Sequence, residues 1–125
     1  MEVYREILPN SYLLILTNGQ APAAEAQLSY ALRLASRSGK PSIWVDCSQL
    51  PALSFGALRV LARYYRRLRR RQVQLVLCHL GDAAHQLVAK LPTALCPPVV
   101  PSLLDAERYC QHTHPLAQRP IAMAS

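Results

Sequence analysis

The chain has 125 residues, 51% of them hydrophobic, and a formal net charge of +7. That length fits one domain with a proper core, and the apolar fraction excludes overall disorder. No apolar run approaches the roughly 20 residues of a membrane helix, and Met1-Glu2-Val3-Tyr4-Arg5-Glu6 lacks the apolar core of a secretory signal, so the chain reads as cytoplasmic.

In chain order, Met1 to Leu8 reads as a half-exposed edge strand. Pro9-Asn10-Ser11 has turn chemistry, and Tyr12 to Thr17 is a strong central strand, which makes the opening a β-hairpin. Ala23 to Arg37 is an amphipathic helix with an apolar stripe of Ala24, Leu28, Ala31, Leu32 and Ala35. Ser38-Gly39-Lys40-Pro41 stops it. Ser42 to Cys47 is a buried strand rich in β-branched and aromatic residues. Ser54 to Arg71 repeats apolar residues at helical spacing (Leu58, Leu61, Ala62, Tyr65, Leu68). Val73 to Cys78 is the next strand, parallel to the last and reached by a right-handed crossover.

After the loop His79-Leu80-Gly81, Asp82 is a candidate N-cap for a short helix, Ala83 to Leu91. The prolines in Cys96 to Pro101 allow only a short edge strand there. Ser102 caps a last helix, Leu103 to His112, with Leu104 and Tyr109 directed inward. His114 to Ser125 lacks periodicity and reads as a flexible tail behind a single domain of residues 1–113. The fold class is therefore α/β: one mixed, mostly parallel sheet, opening with a β-hairpin and covered by about four helices.

The order of elements, with the residues from Val45 to Tyr109, resembles the STAS domain of sulfate transporters and anti-sigma factor antagonists. The likeness rests on a strand ending in Asp46, then Leu50, a Ser/Gly turn, and the helix Ala57-Leu58-Arg59-Val60-Leu61. It implies a stand-alone bacterial signalling module, non-enzymatic and without a cofactor. Its partner would be a regulatory protein: an anti-sigma factor, a kinase-like protein or a STAS homologue. In antagonists of this family the helix opens with Asp-Ser-Ser/Thr-Gly, whose first hydroxyl is phosphorylated. Here the apolar register places Ser54 on the acid, Phe55 on the acceptor and Gly56-Ala57 on the remainder. Sliding by one residue restores Ser54-Phe55-Gly56 as Ser-Ser-Gly, but puts Leu53 on the acid and turns the helix by about 100°. The acceptor motif is degenerate. Ser54 reads as a helix N-cap rather than a phosphorylation site.

The candidate partner surface is Leu53, Ser54, Phe55, Gly56, Arg59, Arg63, Arg66 and Arg67. Phe55 is expected to fold back onto the sheet edge. Arg59, Arg63, Arg66 and Arg70 follow i, i+4, i+7, i+11, and Arg67 and Arg71 widen that stripe. Such a stripe suits an acidic protein or, as the second choice, the phosphates of nucleic acid or a nucleotide.

Catalysis has no constellation. His79 and His85 lack a sequence-adjacent carboxylate or nucleophile, and Ser48 and Thr17 lack a base. Cys110, His112 and His114 alternate, but the spacing reads as chance in a fraying tail rather than a metal site. The four cysteines read as reduced thiols packed as small hydrophobes.

Overall fold

A computed structural model describes residues 1–18 and 24–113, with the side chains of residues 112 and 113 excepted. Gly19, Ala23 and the expected tail His114 to Ser125 lie outside the described residues. The elements are β1 (Glu2–Ile7), β2 (Ser11–Thr17), α1 (Ala24–Ser36), β3 (Ser42–Gln49), α2 (Phe55–Arg70), β4 (Gln74–Cys78), α3 (Asp82–Ala89), β5 (Val99–Val100) and α4 (Leu103–Thr113). A 3-10 turn, Thr93–Leu95, links α3 to β5. The five strands form one sheet in the order β1-β2-β3-β4-β5. β1 is antiparallel to β2, and every other neighbouring pair is parallel.

Side chains alternate across the sheet with the period of two that a strand imposes. Tyr12, Leu14, Leu16, Ile43, Val45, Leu75 and Leu77 enter one core with Leu28 and Leu32 of α1, Leu58, Leu61 and Leu68 of α2, and Ala84 and Val88 of α3. Leu13, Trp44, Val76 and Cys78 enter a second, smaller core under Ala106 of α4. Parallel connections of one hand that advance across a sheet in one direction leave their helices on one face. The strand order meets that condition, so α1, α2 and α3 share a face and α4 alone crosses to the other. No helix of the described residues is long and apolar enough to cross a membrane.

Three local expectations change. The N-cap of α3 is Gly81, in extended conformation, and Asp82 is the first helical residue. The Asp82 carboxylate therefore acts on the positive end of the helix through space, with no capping hydrogen bond. In α4, Leu104 points outward at 56% exposed, because the buried phase runs through Ala106 with Leu103, Tyr109 and Cys110 packed beside it. Ser102 does cap this helix: its hydroxyl accepts from the Asp105 backbone N–H at 3.2 Å and donates to the Asp105 carboxylate at 2.7 Å. On α2 the buried face is wider than the expected stripe. Ala57, Val60 and Tyr64 join it, and Tyr65 is only half-buried.

All four cysteines are free. Burial, then the nearby Asp46 carboxylate, pushes the Cys47 and Cys78 thiols up to about 12. A thiol whose folded pKa lies above its unfolded value favours folding fully below the unfolded pKa and loses that contribution as pH rises. Stability should accordingly hold below pH about 9 and decline as pH climbs from there toward 12. A Cys78→Ala variant, followed by thermal unfolding across that range, should show a shallower decline. Leu58→Ala, at a fully buried position on the inner face of α2, should cost about 2–5 kcal/mol, measured by urea denaturation.

Candidate functional site

The loop from β3 into α2 is held at both ends. At the first, β3 bulges: Ile15 pairs with Asp46 and Thr17 with Gln49, so one residue of β2 opposes two of β3. The Asp46 carboxylate accepts the Ser48 backbone N–H at 2.9 Å, which stabilises the kink. Asp46 is 8% exposed, so this aspartate closes a backbone turn rather than facing a ligand. At the second end, Leu50 and Leu53 insert into the main core.

Leu53 is thus removed from the expected partner surface: at 6% exposed it anchors the loop from beneath. Phe55 behaves in the opposite way. It does not fold back onto the sheet edge but stands 59% exposed as the first residue of α2. The space over the sheet is already filled by Leu53 and Leu58, and the helical phase directs position 55 away from them.

Ser54 is the N-cap. Its hydroxyl oxygen accepts the Ala57 backbone N–H at 3.0 Å, and its carbonyl accepts the first helical hydrogen bond from Leu58. The first turn of α2 contains no acidic residue. A carboxylate nevertheless reaches it from another element: Glu25 of α1 lies so close to Gly56 that a Cβ there would collide with it. An anion at a helix N-terminus offsets the positive end of the dipole. Glycine at 56 therefore permits the approach of α1's carboxylate, a role beyond motif matching.

Beyond Phe55, every exposed residue of α2 is an arginine: Arg59, Arg63, Arg66, Arg67, Arg69 and Arg70. Arg67 stacks over Tyr64 at 5.3 Å and Arg69 over Tyr65 at 5.5 Å. Arg59 and Arg63 stand nearer the Phe55 end; Arg66 and Arg67 lie further along the helix.

The fold also gathers residues that are far apart in sequence. Ser48, His79 and His85 line one cavity of about 640 Å³ at the carboxyl ends of β3, β4 and β5, with Cys47 and Gly81. His79 has a left-handed backbone, φ 57°. The Cys47 thiol, held neutral by burial, is not a nucleophile at neutral pH. Only the β-α-β topology links these positions, so their spacing in the chain carried no signal. Cys110 is half-buried, its thiol raised by burial and eased back by the Trp44 and Ser42 side chains. The side chains of His112 and His114 lie outside the described residues. Among those described, no three His, Cys, Asp or Glu side chains come together to hold a metal ion.

A five-stranded mixed sheet with three helices on one face and a capped, partly solvent-facing helix start beside the last turn of β3 defines an α/β module of the STAS type. The chain belongs to the family described as Mlab, STAS domain, which it matches over residues 14–92, from β2 to the end of α3. Among solved structures it is similar to an anti-sigma-factor antagonist (STAS) domain protein from Planctomyces limnophilus. That match has 11% identity and a TM-score of 0.70, and covers 86% of this chain and 96% of the other. It is also similar to RsbS from Moorella thermoacetica, with 14% identity, a TM-score of 0.71, and coverage of 90% and 100%. The anti-sigma factor antagonist SpoIIAA in its unphosphorylated form matches with 11% identity, a TM-score of 0.67, and coverage of 89% and 98%. At these identities the likeness is one of fold. No curated protein matches the sequence.

Two substitutions separate capping from packing at this site. Ser54→Ala should cost about 1 kcal/mol in chemical denaturation, the usual loss for an N-cap. Gly56→Ala should change stability by less than about 1 kcal/mol, because the Glu25 carboxylate ends a flexible, exposed side chain that can swing aside. A larger loss would mean that the Glu25 contact is rigid.

Proposed function

We propose that this chain is a non-enzymatic interaction module of a bacterial signalling pathway, of the anti-sigma factor antagonist kind, and that it binds a regulatory protein through the start of α2. The observation that carries the reading is Phe55. It is a large aromatic side chain 59% exposed at the helix start, on a loop pinned from below by Leu50 and Leu53. A rigidly presented aromatic flanked by arginines is the composition of an interface hot spot. Gly56, Arg59 and Arg63 complete the contact, and Arg66 and Arg67 border it.

The module works without phosphorylation of Ser54. The acceptor position of the family motif is filled by Phe55, which has no hydroxyl. The Ser54 hydroxyl is engaged in capping, and the Glu25 carboxylate already stands at the same helix end. A phosphate there would meet like charge. Binding is therefore constitutive, set by the abundance of the partner and not by a kinase.

Phe55→Ala should weaken partner binding by about 2 kcal/mol, roughly thirty-fold, as hot-spot truncations do. Arg59→Glu with Arg63→Glu should abolish capture from nuclease-treated lysate. Unchanged capture by both variants overturns the proposal. Intact mass after incubation with a cognate anti-sigma kinase should show no added phosphate.

A further inference from the structure

The carboxyl-terminal half of α2 and its neighbour α1 form a second surface, chemically unlike the Phe55 end. Between Glu25 and Asp82 the chain carries ten basic residues and a single acid, Asp46. That acid is 8% exposed, and its carboxylate is engaged by the Ser48 backbone N–H. Away from Glu25 at the α2 start, the charged side chains on the outer face of the α1–α2 layer are therefore all positive. Nine of the ten basic residues are arginines.

The two helix ends are physically joined. The Arg71 guanidinium donates to the Ser36 carbonyl at 3.0 Å, which brings the end of α2 to the end of α1. Arg33 and Arg37, both exposed, stand on the α1 side of this junction. Lys40 follows, tied to the Pro9 carbonyl at 3.0 Å. Three guanidinium groups lie over aromatic rings at cation–π distance: Arg33 over Tyr30 at 5.3 Å, Arg67 over Tyr64 at 5.3 Å and Arg69 over Tyr65 at 5.5 Å. Stacking restricts the rotamers of a long side chain, so less freedom is lost when it meets an anion.

What this face lacks chooses the occupant. Cations near helix C-termini offset the dipole, but that purpose is met by the last turn and does not call for arginine at every exposed position. A docking protein would need an apolar centre, since interface cores are depleted in charge. From Arg59 to Arg70 no exposed apolar side chain is offered, and on α1 the one large exposed ring, Tyr30, has Arg33 over it. Nor is there an exposed Asn, Gln or Ser on this stretch to read a base edge. A dense field of guanidinium groups with no opposing charge fits a repeating phosphate chain, read by its backbone alone.

We propose that the Arg33–Arg37 and Arg66–Arg71 face binds nucleic acid without sequence preference, through backbone phosphates, as an activity separate from partner docking at Phe55. Fluorescence anisotropy with a short DNA duplex and a short single-stranded RNA of unrelated sequence tests it. Binding should be weak for both, and the log–log dependence on salt should have a slope of about −4 to −5 for the duplex and about −3 to −4 for the single strand, as expected for five or so neutralised phosphates. The variant Arg37→Gln/Arg66→Gln/Arg70→Gln should make the slope shallower by about three and weaken binding at low salt at least about tenfold. All three side chains are exposed, so its thermal unfolding should match the wild type. Phe55→Ala should leave nucleic-acid binding unchanged. No binding at low salt, or an unaltered slope in the triple variant, overturns the proposal. So does displacement of the duplex by polyglutamate at equal charge concentration, which would make the face a docking surface for acidic proteins.

Discussion

The rest of this structure depends on the need to bury β3 and β4 on both faces. Parallel strands are joined by crossovers, and their two faces must both be kept from water. Ile43, Val45, Leu75 and Leu77 on one side, and Trp44, Val76 and Cys78 on the other, are all nearly or fully buried. Each fully buried aliphatic side chain contributes about 1.5–3 kcal/mol. Because the strands follow each other in sequence order, three helices must share one face, and α4 alone supplies the second cover. α2 lies in the middle of the three-helix layer with Ala57, Leu58, Leu61 and Leu68 turned inward. Its exposed side chains, Phe55 and the arginines, have only solvent or another molecule to meet.

That geometry divides α2 lengthwise into two chemically different regions. At its start, near the carboxyl ends of the strands, Leu53 pins the loop, Ser54 caps and Phe55 projects. At its far end, near the amino ends of the strands, arginines gather with those of α1. The two regions differ in chemistry, one an aromatic anchor and the other a field of charge. They are joined by a single helix whose buried face holds them in fixed relation.

The architecture was legible in the sequence because its signals are redundant. Strand alternation, the turn at Pro9-Asn10-Ser11, the helix stop at Gly39, and the proline-bracketed edge strand each speak independently for the same topology, and the resemblance to the STAS domain adds to them. Errors came where one residue had to be assigned a direction. Leu53 and Phe55 are large apolar residues on either side of the cap Ser54, and composition does not say which one a core has room for. In α4 the cap at Ser102 and the start at Leu103 match the sequence reading, but the buried phase runs through Ala106 with Leu103, Tyr109 and Cys110, which leaves Leu104 outside. The Glu25–Gly56 contact and the grouping of Ser48 with His79 and His85 were not legible, because each joins elements that only the packed layer brings together.

The two ends of the sheet are protected by different means. β1 exposes Glu2, Arg5 and Glu6 along its length. β5 is two residues long and stands between Pro98 and Pro101, neither of which has a backbone N–H to offer. Charged residues along an edge and proline-bracketed short strands are the devices by which sheets avoid recruiting further strands. These features oppose lengthening of the sheet by a templated neighbour, although β1 also exposes Tyr4 and Ile7. Copies of the chain can thus be crowded together with little tendency to polymerise through backbone pairing.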